Sequence, residues 1–122
     1  MTKIAYLDCH AGISGNMFIG AMLDLGLPQE MLWAELKKLP ITLPPIDIIR
    51  TQRKGLSAIY FHVHAPHEHH HRHLSEIIQM IDDSELSETV KRSAIKCFQY
   101  LAEAEAKVHG VSVEEIHFHE VG

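Results

Sequence analysis

The apolar positions of this 122-residue chain fall into stripes whose period changes from one segment to the next. Residues 3–7 hold a short apolar run and predict a strand, followed over 8–16 by a glycine-rich turn. Phe18, Ala21, Met22 and Leu25 then recur at i, i+3, i+4 and i+7, the stripe of an amphipathic helix that Gly26 ends. Pro28 opens a second helix with Leu32, Leu36 and Leu39 on one side, and Pro40 stops it. Residues 46–50 and 56–64 predict two strands joined as a hairpin around Lys54-Gly55. In the second strand Ile59, Phe61 and Val63 alternate with Tyr60, His62 and His64, giving one apolar and one polar face.

Pro66 breaks that strand, and a histidine-rich loop occupies 65–73. Leu74, Ile77, Ile78 and Ile81 predict a third helix with Ser75 as its N-cap. Ser87 caps a longer helix carrying Val90, Ala94, Cys97, Phe98, Leu101, Glu105 and Val108 at helical spacing. Lys107 and His109 complement its negative end and Gly110 closes it. Residues 116–121 resemble a final short strand. The order β-α-α-β-β-α-α-β predicts an α/β fold, a small sheet with packed helices, over 1–122 as a single N-terminal domain. Its last segment, His117-Phe-His-Glu-Val-Gly122, is apolar and of strand type, so the domain is expected to be a piece of a longer chain.

Composition changes the picture in one respect. A hydrophobic content of 46% excludes a disordered chain, and no apolar stretch approaches the ~20 residues of a spanning helix. The net charge of −5 argues against a nucleic-acid partner. Cys9 and Cys97 lie far apart, and the N-terminus has no signal-peptide core; both are expected to be reduced thiols in a cytoplasmic protein, Cys97 within the core. The exceptional residue is histidine, with 11 in the chain. A composition of this kind points to metal.

His62 and His64 project from one face of a strand, and His117 and His119 repeat the spacing with Phe118 turned the other way. Between them His67, His69, His70, His71 and His73 lie on a connector together with Glu68. Neutral imidazoles suit Ni, Cu, Zn and Fe(II), so the ligands alone do not choose the metal. The bland alternative is a solvated loop that binds nothing. Neither a Cys-x-x-Cys pair nor His-Glu-x-x-His occurs, so a zinc ribbon and a zincin are not indicated.

Gly12, Gly15 and Gly20 stand between the first strand and the first helix. Such a loop can present backbone N–H groups to a phosphate, but the spacing is neither Walker A nor the dinucleotide fingerprint. Tight turning at Gly12 and Gly15, with close helix packing at Gly20, is the simpler reading. Asp8, where ligands commonly bind in α/β sheets, either contacts a ligand or caps the loop.

Four segments together carry a family resemblance. They are Asp8 with Gly12-Ile-Ser-Gly-Asn-Met-Phe-Ile-Gly-Ala-Met-Leu-Asp-Leu-Gly26, the His-Arg-His-Leu end of the histidine tract, Leu101-Ala-Glu-Ala-Glu-Ala-Lys-Val-His-Gly110, and His117-Phe-His-Glu-Val-Gly122. The chain resembles the N-terminal part of the LarC-type nickel insertion proteins, the pyridinium-3,5-bisthiocarboxylic acid mononucleotide nickel chelatases. Asn16 stands where that family usually has Asp. The resemblance implies a cytoplasmic chelatase of the lyase class that inserts Ni²⁺ into a pyridinium dithiocarboxylate mononucleotide, linked to CTP with a divalent metal. The product is the nickel-pincer cofactor of lactate racemase-type enzymes. Implied partners are the substrate, the C-terminal part of the same protein and the nickel-pincer enzyme apoprotein, with homo-oligomers compatible and neither nucleic acid nor membrane involved.

On this reading His67, His69, His70, His71 and His73 capture Ni²⁺, and a more ordered set of His64, His117, His119 and Glu120 holds it for transfer. Glu120 and Asp8 are the candidate catalytic groups, Glu120 as proton acceptor. Asp8 with Gly12, Ser14, Gly15 and Asn16 would meet the substrate phosphate or a nucleotide metal. The competing reading is a non-catalytic nickel- or zinc-binding metallochaperone or storage domain.

Overall fold

The computed structural model describes residues 2, 4–65 and 72–118. In chain order it forms α1 (Gly15–Asp24), α2 (Gln29–Leu36), β1 (Ile46–Arg53), β2 (Leu56–Val63), β3 (Arg72–His73), α3 (Leu74–Asp82), α4 (Glu88–His109), a 3₁₀ turn (Val113–Glu115) and β4 (His117–Phe118). The class is mixed α/β with small antiparallel sheets, as the stripes predict. The chain divides into two compact units, Met1–Gln29 with Pro44–Ala65, and Glu30–Leu43 with Pro66–Gly122.

The first unit is built on the β1–β2 hairpin, paired from Ile46↔Val63 to Arg53↔Leu56. Lys54 and Gly55 turn it with φ of 49° and 83°, the mirror-image two-residue turn whose twist suits antiparallel strands. Helix α1 packs on β2 through a face other than the predicted one. Gly20 and Leu23 are buried, whereas Phe18 and Leu25 of the predicted stripe are 39% and 80% exposed. The cause is Gly20: a Cβ there would collide with the Ile59 carbonyl oxygen, so the helix approaches β2 most closely where it carries no side chain. Apolar residues surround most of α1, and periodicity alone could not select the face.

The predicted strand over 3–7 is not formed by its described residues, and Ile4 and Tyr6 are exposed. An extended run becomes a strand only with a ladder partner. Among the described residues β1 pairs only with β2, and β3 only with β4.

The second unit packs α3 against α4 around Ile77, Ile81, Ala102, Ala106, Ile116 and Phe118. Ser87 caps α4 by accepting from the Val90 N–H, and Gly110 closes it in the left-handed conformation at φ 68°. The cap of α3 is His73, two residues earlier than the predicted Ser75. Three predicted members of the α4 stripe, Val90, Cys97 and Val108, are exposed instead of in the core. The line that faces the core is Ala94, Phe98, Ala102, Ala106, buried at the two later positions and half-buried at the two earlier ones, with Ile95 and Leu101 beside it. Cys97 lies about 100° around the helix from Phe98. At 22 residues against the 9 of α3, α4 also outruns the element that covers it, leaving Val90 and Val108 near its ends in solvent. Among the described residues no helix is long and apolar enough to cross a membrane.

Candidate functional site

Among the described residues, a two-stranded sheet only two residues long joins the two histidine motifs. β3 and β4 are antiparallel, with Arg72 opposite Phe118 and His73 opposite His117. Phe118 is buried and meets Phe98 edge-on at a centroid distance of 5.8 Å. By strand alternation, anchoring Phe118 in the core turns His117 outward. The His73 and His117 rings are then 4.0 Å apart between centroids, at an interplanar angle of 48°.

Both histidines stand beside a carboxylate that fixes local backbone. The His73 N–H donates to Glu76 Oε2 at 2.9 Å at the start of α3. Before β4, the Ser112 N–H and hydroxyl both donate to Glu115 Oε2, at 3.0 and 2.9 Å. These bonds, the backbone one foremost, hold the Glu115 carboxyl below the usual carboxylate range by favouring its charged form. On one flank His117 lines a cleft of about 300 Å³ with Glu105, His109 and Glu115. A smaller cavity of about 190 Å³ is lined by His73, Ser75 and Glu114.

Among the described residues no three His, Cys, Asp or Glu side chains are arranged to hold a metal ion as they stand. The ring pair therefore needs further donors. His67, His69, His70, His71, His119 and Glu120 lie outside the described residues.

His64, expected to join His117, His119 and Glu120, lies in the first unit, just past the end of β2. Its Nε2 is 2.6 Å from Asp47 Oδ2 across the hairpin. His62 stacks on Tyr60, whose hydroxyl is 3.0 Å from His62 Nδ1. The His62 and His64 rings are 4.5 Å apart between centroids and nearly perpendicular, at 83°.

The glycine-rich turn is explained largely by its own geometry. Gly12 adopts φ 84° and its N–H donates to the Cys9 carbonyl at 2.9 Å. The Ser14 hydroxyl accepts from the Met17 N–H at 3.2 Å and so caps α1. Gly15 and Asn16 are the first two residues of that helix, whose leading N–H groups have no intrahelical acceptor. Beyond its chain neighbours and its own helix backbone, nothing lies within 4 Å of where a Gly15 Cβ would be. Asp8 is exposed, with His10 Nδ1 3.6 Å away. Beside it a cleft of about 390 Å³ is lined mainly by apolar residues, among them Ile4, Tyr6, Leu7, Met17 and Leu25.

Four residues that shape these sites were not singled out from sequence: Asp47, Tyr60, Glu76 and Glu115. The two glutamates carry a legible signal, a carboxylate three residues after the capping position at His73 and at Ser112. Tyr60 was visible only as a member of the polar face. Asp47 had no signal, because the register that sets it opposite His62 depends on the turn.

Comparison with known proteins extends the geometry. The family model described as nickel insertion protein matches residues 5–122. A pyridinium-3,5-bisthiocarboxylic acid mononucleotide nickel insertion protein of Staphylococcus epidermidis is 47% identical over 122 residues, covering 100% of this chain and 31% of the relative. A protein of the same name from Geobacillus kaustophilus is 48% identical over 130 residues, covering 98% of this chain and 32% of the relative. The chain thus spans about a third of the length of these relatives. No solved structure matches it.

Proposed function

Because this chain belongs to the nickel insertion protein family, we propose that it is the nickel-handling part of a protein that inserts Ni²⁺ into pyridinium-3,5-bisthiocarboxylic acid mononucleotide. The observation that carries this reading is the His73–His117 pair. It sets the end of the histidine tract against the start of the His117-Phe-His-Glu-Val-Gly122 motif on a ladder fixed from behind by Phe118. Nickel is the cargo. His67, His69, His70 and His71 gather it, and His73, His117 and His119 hold it for transfer.

Insertion exchanges nickel–imidazole bonds for two nickel–sulfur bonds and one nickel–carbon bond, with loss of one ring proton from the pyridinium. Imidazole is a suitable donor because soft sulfur displaces it from nickel, while the ring pair keeps the ion in a defined place until then. Glu120 accepts the ring proton, being the carboxylate nearest in sequence to the His117 and His119 ligands. The protein is a chelatase of the lyase class on this account, and acts in the cytoplasm.

The CTP linkage with a divalent metal belongs to the proposal as well. Asp8 offers an exposed carboxylate to that metal, and Gly15 and Asn16 offer helix-terminal N–H groups. Ser14 caps the helix through its hydroxyl oxygen and keeps its O–H to donate, and Gly12 shapes the turn, so these two form the loop that receives the nucleotide. When bound, the nucleotide supplies phosphate-transfer chemistry; this chain's part is to bind it.

The test compares nickel-dependent formation of the pincer product by the complete protein, by the same protein with His73→Ala and His117→Ala, and by the 122-residue chain. The double variant is expected to lose product at limiting nickel. Full product yield from that variant at limiting nickel would overturn the reading.

A further inference from the structure

The polar face of the β1–β2 hairpin carries a second arrangement of imidazoles that the insertion role does not use. We propose that His62 and His64 form a binding site there for a divalent transition-metal ion, with Asp47 and Tyr60 setting which ring nitrogens are offered.

His62 lies on β2, on the face opposite to buried Phe61, and His64 follows two residues later, just past the end of the strand, its N–H bonded to the Pro45 carbonyl. A ring-bound ion lies roughly 3.2 Å from an imidazole centroid, given a metal–nitrogen bond of about 2.1 Å. Two imidazoles at a right angle on one ion then have centroids about 4.5 Å apart, the cis relation of square-planar and octahedral metals. The His62 and His64 centroids are 4.5 Å apart. The His73 and His117 rings, at 4.0 Å, must open slightly to reach the same relation.

Hydrogen bonding decides which nitrogens are offered. The ionised Asp47 carboxylate has no proton to give, so at 2.6 Å it accepts from His64 Nε2–H. In neutral His64 the lone pair is then on Nδ1. This is the carboxylate–histidine relation that orients metal-ligating imidazoles and raises their basicity. On His62 the Tyr60 oxygen is 3.0 Å from Nδ1. With Nδ1–H donating to that oxygen, Nε2 carries the lone pair. One donor nitrogen per ring results, and water completes the sphere. Two fixed imidazoles with exchangeable water suit an ion that must leave again, and select borderline cations such as Ni²⁺ over Mg²⁺ or Ca²⁺.

The test is titration of the 122-residue chain with nickel chloride alone, followed by calorimetry and by paramagnetic broadening of assigned histidine ring protons. The His62 and His64 ring protons should broaden. The His62→Gln/His64→Gln variant should lose one equivalent of bound nickel, while His73→Gln/His117→Gln keeps that equivalent. Asp47→Ala should weaken this site by 10- to 100-fold, with Asp47→Asn, which retains an oxygen acceptor, recovering part of the loss. Unchanged stoichiometry in the His62/His64 variant, or ring protons that stay sharp at excess nickel, would sink the site. Wild-type affinity in Asp47→Ala would sink the role given to Asp47. Should the double variant fail to fold, the broadening in the unaltered chain and the two single variants decide the matter. Failure of the His73–His117 reading shows instead as full product yield from the His73→Ala/His117→Ala protein with the hairpin equivalent intact, so the two proposals stand or fall separately.

Discussion

His73 and His117 face each other across a two-residue antiparallel ladder, their rings 4.0 Å apart, although they come from distant parts of the chain. Their backbones are held from three sides. The His73 N–H is tied to Glu76, the turn before His117 is tied by Glu115, and Phe118, next to His117 in the chain, is sealed in the core. A ligand pair on fixed backbone binds without first ordering its own strands, so the ordering cost falls on whatever donors complete the site.

If the two rings share one ion, their contributions are coupled. Replacing either His73 or His117 by Ala should lower nickel affinity at that site by at least about tenfold, roughly 1.4 kcal/mol. The double replacement should cost little more than the larger single loss, because a lone imidazole of the pair no longer closes the site. Calorimetric nickel titration of the four members of the cycle measures this. Strict additivity would mean that the rings bind separate ions or none.

Much of this architecture is readable from residue order, and the failures have identifiable causes. The hairpin at Lys54-Gly55, the Ser87 cap and the Gly110 terminus are local, each decided by the conformational needs of one or two residues. The α1 face was misread because apolar residues nearly encircle that helix, and the deciding contact is between Gly20 and a backbone carbonyl some forty residues later. The strand expected over 3–7 required a partner that the stripe could not supply. Of the candidate site, the histidine types were plain, but their pairing was not: β3 is only two residues long and lies at the end of the tract, beneath any periodicity signal.

The Gly20 contact makes a stability prediction. A methyl group at this position points into the Ile59 carbonyl oxygen, which belongs to a paired strand and cannot move aside alone. Gly20→Ala should therefore destabilise the first unit by about 1–3 kcal/mol, against the usual gain in helix propensity. Thermal unfolding followed by helix ellipticity measures the change. A melting temperature equal to or above that of the unaltered chain would show that α1 does not sit so close to β2.

Phe118 links packing to the site. It is 1% exposed and contacts Phe98, and its neighbour His117 depends on it for direction. Phe118→Ala should cost about 3–5 kcal/mol of stability. Phe118→Leu, which keeps an apolar anchor, should retain most of the stability. Nickel affinity at the His73–His117 pair should follow the same order, falling steeply in the alanine variant and modestly in the leucine one. Equal nickel affinity in all three proteins, measured where each is folded, would separate His117 from its core anchor.

The last prediction concerns pH. Glu115 is exposed, and its carboxyl is held below the usual range by the Ser112 N–H and hydroxyl that donate to its charged form. A lowered folded-state value means that the unfolded chain binds the proton more readily, so the contribution of this turn is fully present above the ordinary carboxylate pKa of about 4.3 and is lost as pH falls through the lower folded value. In an NMR titration the Ser112 amide should thus report a midpoint below that of a free glutamate. Glu115→Gln keeps an oxygen acceptor but no titrating charge, and should abolish the transition while leaving the fold intact at neutral pH. Since Glu115 and His117 line one cleft, the same variant also separates two causes of acid-sensitive nickel binding. Protons compete with nickel for imidazole in either protein, so loss of uptake on acidification should persist in Glu115→Gln if the rings are the ligands. Disappearance of that loss in the variant would transfer the metal-binding role from the imidazoles to the carboxylate.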